Sequence, residues 1–285
     1  MNGALVIDKA SGMTSHDVVD EVRKRLRTKR VGHGGTLDPD ATGILLIGVG
    51  KATRFLSYAQ ASPKRYEAVV QLGSATSTQD ASGDVLYQRP VTCDVEHLTK
   101  ALERFRGPIQ QIPPMVSAVR VGGKRLHELA RAGQEVERQP RDVTIYELRL
   151  IDVDLETSSR ATLDVRCSGG TYVRTLAHDL GEALGCGGHL VSLRRTEAAG
   201  FTLDEAIAID DVSEETLRPL VDVVHELPRL DIDAEMAALV ANGRPLFVEE
   251  PLSKGTVAAV VNEGVLLGVY RSEGNRLVAE RVVGR

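Results

Sequence analysis

Residues 31–54, "VGHGGTLDPDATGILLIGVGKATR", constrain the fold more than any other part of the chain. The run at 43–49 carries no polar side chain, and an apolar run of that length bounded by turn signals reads as a fully buried strand. Asp38-Pro39 fixes a turn just before it. Gly32, Gly34 and Gly35 allow backbone geometries closed to other residues. A carboxylate on a stiff loop at the mouth of a buried strand suits an active site. It suits a plain turn cap equally, and the local pattern does not separate the two.

The remaining periodicities place this segment between regular elements. "GALVIDKA" reads as a strand ending near Lys9. Thr14 and Ser15 are N-cap candidates for a helix with Val18, Val19, Val22 and Leu26 at helical spacing. That helix delivers the basic run "RKRLRTKR" into the glycine-rich loop. "KATRFLSYA" reads as helix, "KRYEAVVQLG" as strand and "SATSTQDASGD" as a polar loop without period. Leu98, Ala101, Leu102 and Phe105 mark a helix that stops at Gly107-Pro108. Residues 110–142 read as a hairpin and short helix projecting from the body, or equally as an ordinary surface excursion. Strands follow at 144–155 and 161–167. A glycine-rich turn then opens a helix with Leu176, Ala177, Leu180 and Leu184 inward, and "HLVSLRRTEAAGF" returns to strand. The acidic stretch beyond it suits a linker with short helices. The end of the chain has one helix and three short β runs, a small β-rich appendage.

Charge needs a local reading. The chain has a net charge of −5, yet residues 23–30 hold six basic side chains in eight positions. Residues 203–235 carry eleven acids against two arginines, so an acidic segment masks a basic one. With 42% apolar and 4% aromatic residues and no Trp, the core is aliphatic. Cys93, Cys167 and Cys186 are scattered and imply no disulfide framework. No signal-peptide pattern or membrane-length apolar run is present, which suits a soluble cytoplasmic protein. "GVGKAT" fails as a phosphate loop, with Leu45 where Gly is required and Ala52 where a hydroxyl is required. "HELAR" lacks the second histidine of a zinc helix, and no Gly-x-Ser-x-Gly elbow occurs.

Taken together, "GHGGTLDPDATG", "KRYEAVVQLG" and "CSGGTYVRTLAHDLGEALG" make the chain resemble the TruB family of tRNA pseudouridine synthases. "IPPMVSA" and "HLVSLRR" fit the same order, and the resemblance runs over residues 3–195 and more weakly to the end. It implies an isomerase that converts uridine 55 in the T arm of tRNA to pseudouridine, without cofactor or metal. The base leaves its ribose, turns, and rejoins through carbon. One carboxylate is needed, and Asp38 holds that position, either bonding covalently to the nucleotide or taking a proton from the ribose. Asp40, after the proline, takes a surface role.

Further roles follow from the resemblance. Tyr66 would lie against the uracil, Tyr172 would line its pocket and Leu193 would pack on its other side. Arg174 would pair with Asp38 and keep it ionised. His33 would enter the space left by the flipped base. Lys9, Gly34 and Thr36 complete the substrate-facing set, the glycines letting RNA come close. Lys24, Arg25, Lys29, Arg30, Arg120, Lys124 and Arg125 would contact phosphates, positioning rather than specifying. The expected partner is the T-arm stem-loop of tRNA, with no membrane or metal involved and the enzyme a monomer. A non-catalytic protein that binds or folds tRNA through the same surface is the rival, and the intact set of Asp38, Tyr66 and Arg174 speaks against it. The implied fold is α/β, with a mixed, largely antiparallel central sheet flanked by helices over residues 1–229. A PUA-like β-rich domain over 230–285 follows.

Overall fold

Strand β3 (Thr42–Val49) is buried because its two faces enter different cores. Ile44 and Leu46 join a cluster with Phe55, Leu56 and Ala59. Leu45, Ile47 and Val49 join another, built on Val18, Val19, Val22 and Leu26 of α1 (Ser15–Arg25). Strand β1 (Gly3–Lys9) pairs antiparallel along one edge of β3, from Gly3 opposite Val49 to Lys9 opposite Gly43. Strand β2 (Val31–His33) pairs antiparallel with β3 as well. Thr14 and Asp17 close a capping box at the start of α1, satisfying backbone groups that would otherwise be orphaned. The "KATRFLSYA" stretch splits into a 3-10 turn (Gly50–Arg54) and helix α2 (Leu56–Ala61).

The computed structural model describes all residues except 118, 119, 122, 127, 128, 130–132, 135 and 285, with the backbone alone at 120, 121, 124 and 125. The chain forms two compact units, one of residues 1–39, 43–62 and 197–285, the other of 40–42 and 63–196. The C-terminal five-stranded sheet belongs to the first. Its order is β14 (Arg229–Asp231), β16 (Val257–Asn262), β17 (Val265–Ser272), β18 (Arg276–Val282) and β15 (Leu246–Phe247). Ala259, Val261, Leu266 and Val269 of this sheet share a core with Ala4, Ile44 and Phe55, so it is no loose appendage. Nor is the acidic stretch a free linker. Its short helices are 3-10 turns, and it bridges to β1 at Ala4–Arg218 and Ile7–Ile207. Val212, Val223 and Val224 are buried, and those apolar residues among the acids hold it down.

In the second unit the sheet runs β12 (Gly188–Ala198), β4 (Lys64–Leu72), β11 (Arg160–Cys167), β10 (Arg141–Asp154), β7 (Gly107–Gln111). Strand β4 alternates, with Lys64, Tyr66, Ala68, Val70 and Leu72 buried. From the other face Arg65 forks onto Asp164 at 2.7 and 2.6 Å. Helices α3 (Val95–Glu103) and α4 (Val173–Ala183) complete the unit. The stretch expected as a structureless polar loop is instead partly strand. Ser74, Ala75 and Thr76 are buried as β5 (Ser74–Thr76), paired with β6 (Val85–Gln88). Three small residues are too short a run to show a period, and tertiary burial decides. The expected hairpin of the projecting segment forms from β8 (Arg120–Val121) and β9 (Lys124–Arg125). Most of the short helix expected after it lies outside the described residues. Among the described residues no helix is long and apolar enough to cross a membrane.

Candidate active site

Asp38 sits in a turn whose neighbours are fixed through their main chain. The buried Ser15 hydroxyl accepts from the Leu37 N–H at 2.8 Å and donates to the Leu37 carbonyl at 3.0 Å. On the other side, the Pro39 carbonyl accepts from Lys9 Nζ at 2.9 Å and from the Gly12 N–H at 3.0 Å. Lys9 is only 1% exposed, and its ammonium also donates to the carbonyls of Ala10 and Met13 at 3.0 and 2.6 Å. A buried ammonium without partners is costly, and three carbonyls offset that cost. Lys9 is therefore a strut beneath the turn and does not face RNA, which corrects the expectation for it. Gly34 is corrected likewise. It is buried, and a Cβ there would stand 3.2 Å from Ala59 Cβ, so its smallness serves the packing of α2. Gly32 meets Leu56 of α2 in the same way, at 3.1 Å. Gly35 does need its freedom, with φ at 141°. Thr36 is exposed and Asp38 half-buried.

In the second unit, Arg174 lies in the first turn of α4 and is 5% exposed. It donates to Asp80 Oδ2 at 3.1 Å and to the carbonyls of Val116 and Thr78 at 2.8 and 3.3 Å. Asp80 is itself caged, with the Thr78 and Ser82 hydroxyls each 2.6 Å from its Oδ1 and the Ser82 N–H at 3.0 Å. Burial pushes the Asp80 carboxyl up. The hydrogen bonds from Ser82 and Thr78, with the charge of Arg174, outweigh that and hold it below the usual carboxylate range. A fixed anion thus answers the conflict of a cation near a helix N-terminus. Tyr172, at the N-cap of α4, has its N–H held by Gln111 Oε1 at 2.9 Å, while Gln111 Nε2 donates to its carbonyl at 3.2 Å. Tyr66 is buried on β4 opposite Val165, and Leu193 is half-buried on β12.

Residues 23–173 match the profile of the TruB family pseudouridylate synthase N-terminal domain, slightly more than half of the chain. The chain belongs to the TruB family. Residues 174–225 match the tRNA pseudouridylate synthase B C-terminal domain, and 227–284 the C-terminal domain of tRNA pseudouridine synthase II. The chain is 42% identical to tRNA pseudouridine synthase B of Cupriavidus metallidurans, over 99% of this chain and 94% of that protein. Identity to the Streptococcus sanguinis enzyme of that name is 48%, over 86% and 87%. Among solved structures, one described as a Cbf5-Nop10-Gar1 complex is similar at a TM-score of 0.77 and 26% identity, covering 99% of this chain and 84% of that one. The pseudouridine synthase fold follows, and with it an isomerase acting on tRNA uridine.

Within this TruB-family chain the basic residues divide into spent and open charges. Arg25 is tied to Glu21 at 2.8 Å and to Asp210 at 2.5 Å, so the acidic stretch neutralises it and its expected phosphate role loses support. Lys24 is exposed beside Glu21 at 3.7 Å. Lys29 and Arg30 are exposed, the latter donating to Thr53 Oγ1 at 3.2 Å. The side chains of Arg120, Lys124 and Arg125 lie outside the described residues. A cleft of about 450 Å³ in the first unit is lined by Arg23, His33, Arg54, Ser57 and Arg281, with no carboxylate on its walls among the described residues. Arg281 of β18 donates there to the Arg54 carbonyl.

Sequence reasoning missed Asp80, Arg54 and Arg281 in these places. The signal for Asp80 was a lone acid among hydroxyl residues, and Arg54 closed the motif already singled out. Nothing local marks Arg281.

Proposed function

We propose that this TruB-family enzyme isomerises uridine 55 in the T arm of tRNA, with Asp38 as the reacting carboxylate. The observation that carries the reading is the clamped turn. Leu37 and Pro39 are both bonded to the β1–α1 connection, and a loop immobilised on each side of one aspartate suits a group that must meet a flipped nucleotide in one geometry. Asp38 either attacks the nucleotide or takes a ribose proton. Tyr66 lies against the uracil, with Tyr172 and Leu193 bounding it. Arg174, fixed by Asp80, supplies positive charge near the nucleotide. The same proposal has the enzyme acting as a cytoplasmic monomer, with residues 230–285 as a PUA-like domain. Incubation with a T-arm stem-loop, followed by mass-spectrometric mapping, tests the reaction. Pseudouridine should form at position 55 and disappear when that uridine is replaced by cytidine. Binding without product supports the tRNA-binding rival.

RNA affinity should come from the acid-free cleft more than from Arg25. Reversing Arg54 and Arg281 to Glu should weaken stem-loop binding and flatten the salt dependence by roughly one unit of slope per lost phosphate contact. Reversing Arg25 should change the slope less, since Glu21 and Asp210 already neutralise it. Equal slopes for all three variants would remove the cleft from the RNA surface.

A further inference from the structure

A hydroxyl can donate one hydrogen bond and accept others through a single oxygen. Ser15 uses both capacities on one residue, accepting from the N–H of Leu37 at 2.8 Å and donating to its carbonyl at 3.0 Å. Both torsions of Leu37 lie between those two groups, so one atom fixes them together. Ser15 is 3% exposed, so bulk solvent has little access to these bonds. Ser15 is also the first residue of α1, whose start is set by the box between Thr14 and Asp17. The residue after Asp38 is a proline with φ locked by its ring, and its carbonyl is held by Lys9 and Gly12. The second unit repeats the construction. Gln111, 1% exposed, bridges the N–H and carbonyl of Tyr172, two residues before Arg174.

We infer that Ser15 is a positioning residue for Asp38: by holding the backbone of Leu37, its hydroxyl sets the direction in which the Asp38 carboxylate meets the nucleotide. The inference rests on the catalytic reading of Asp38. Its competitor is a purely structural duty, satisfying two buried backbone groups. Ser272 supplies the comparison. It is 1% exposed, accepts from the Gly274 N–H at 3.1 Å and donates to the Leu252 carbonyl at 2.8 Å. It does the same kind of work in the C-terminal sheet, beside no proposed reacting group.

The test is single-turnover pseudouridine formation on the T-arm stem-loop with saturating enzyme. It is run well below the melting temperature of each variant, with RNA affinity measured in parallel. Ser15→Ala should lose about 10- to 100-fold in rate, the scale set by small misplacements of reacting groups. Its RNA affinity should stay within about twofold of the parent. Ser15→Thr keeps the hydroxyl and should recover most of the rate. Ser272→Ala should lose comparable stability yet turn over at the parent rate. A Ser15→Ala protein that reacts at the parent rate, or a Ser272→Ala protein slowed as much, overturns the inference. If Ser15→Ala does not fold, Ser15→Cys takes its place. Its thiol is a weak donor and acceptor, so it should fold and react slowly, and parent-like rates overturn the inference again. An Asp38→Asn variant that turns over normally brings down the catalytic reading itself, an outcome distinct from a normal Ser15→Ala beside a dead Asp38→Asn.

Discussion

The turn at Asp38 and the loop at Asp80 each present an aspartate, and the contacts that order the two segments differ. On either side of Asp38, hydrogen bonds hold the main chain of Leu37 and Pro39. At Asp80 they fall on the carboxylate itself, through Thr78, Ser82 and Arg174. A carboxylate whose oxygens are committed to hydroxyls and a guanidinium is a fixed charge, stabilised and unreactive. An aspartate flanked by an immobilised backbone is aimed through that backbone. Under the proposed function, the first is the reacting group and the second gives electrostatic support.

The strongest way to break that assignment is Asp38→Asn. Asparagine keeps the shape and loses the carboxylate. The rate should fall at least about a hundredfold, the low end of what a positioned acid–base group contributes, and to nothing measurable if Asp38 is a nucleophile. RNA affinity should remain within about tenfold, roughly 1.4 kcal/mol. Asp80→Asn should invert the balance. It weakens the support of a buried arginine, so a stability loss of about 1–3 kcal/mol is expected, with a smaller fall in rate than at Asp38. Paired thermal melts and single-turnover rates decide. If Asp80→Asn were as inactive as Asp38→Asn while equally stable, Asp80 would be a reacting group too.

Those two aspartates also mark how far the sequence could be read. The turn at Asp38 was legible because Gly35, Asp38-Pro39 and the apolar run after them leave few alternatives, and the buried strand, α1 and β4 appear where their periods place them. What failed was any feature created by tertiary contact. Lys9 looks like a cation for RNA until three carbonyls are seen around it. Gly34 looks like room for a ligand until Ala59 is found against it. Ser74–Thr76 has no period because three residues cannot show one, yet it is buried. Arg281 reaches the cleft beside Arg54 from 227 residues away, a distance no local pattern spans.

A gentler probe of the same comparison is acid. Asp80 is held below the ordinary carboxylate value of 3.8, so its folded form binds a proton less readily than the unfolded chain. Its contribution to stability is then fully present above that ordinary value and fades as pH falls through the lower folded value. The stability gap between the parent and Asp80→Asn should therefore be flat from neutrality down to about pH 5, then close below 3.8. Chemical denaturation at a series of pH values measures it. A gap that closed between pH 7 and pH 5 would mean that Asp80 is not a permanently charged support.

The smallest effect is expected at Asp40, two residues beyond Asp38 and on the far side of Pro39. Asp40 is exposed, whereas Asp38 is half-buried. No side-chain hydrogen bond or ion pair involves Asp40 among the described residues, so replacing it removes no contact that orders the turn. Water solvates either side chain there, and surface changes of this kind stay within about 0.5 kcal/mol. Asp40→Asn should therefore melt with the parent and form pseudouridine within about twofold of its rate. The control matters because the two aspartates share one turn, and a general loss of local negative charge would disturb both variants alike. If Asp40→Asn is dead and Asp38→Asn is active, the clamps at Leu37 and Pro39 serve the turn alone, and the reacting carboxylate is Asp40.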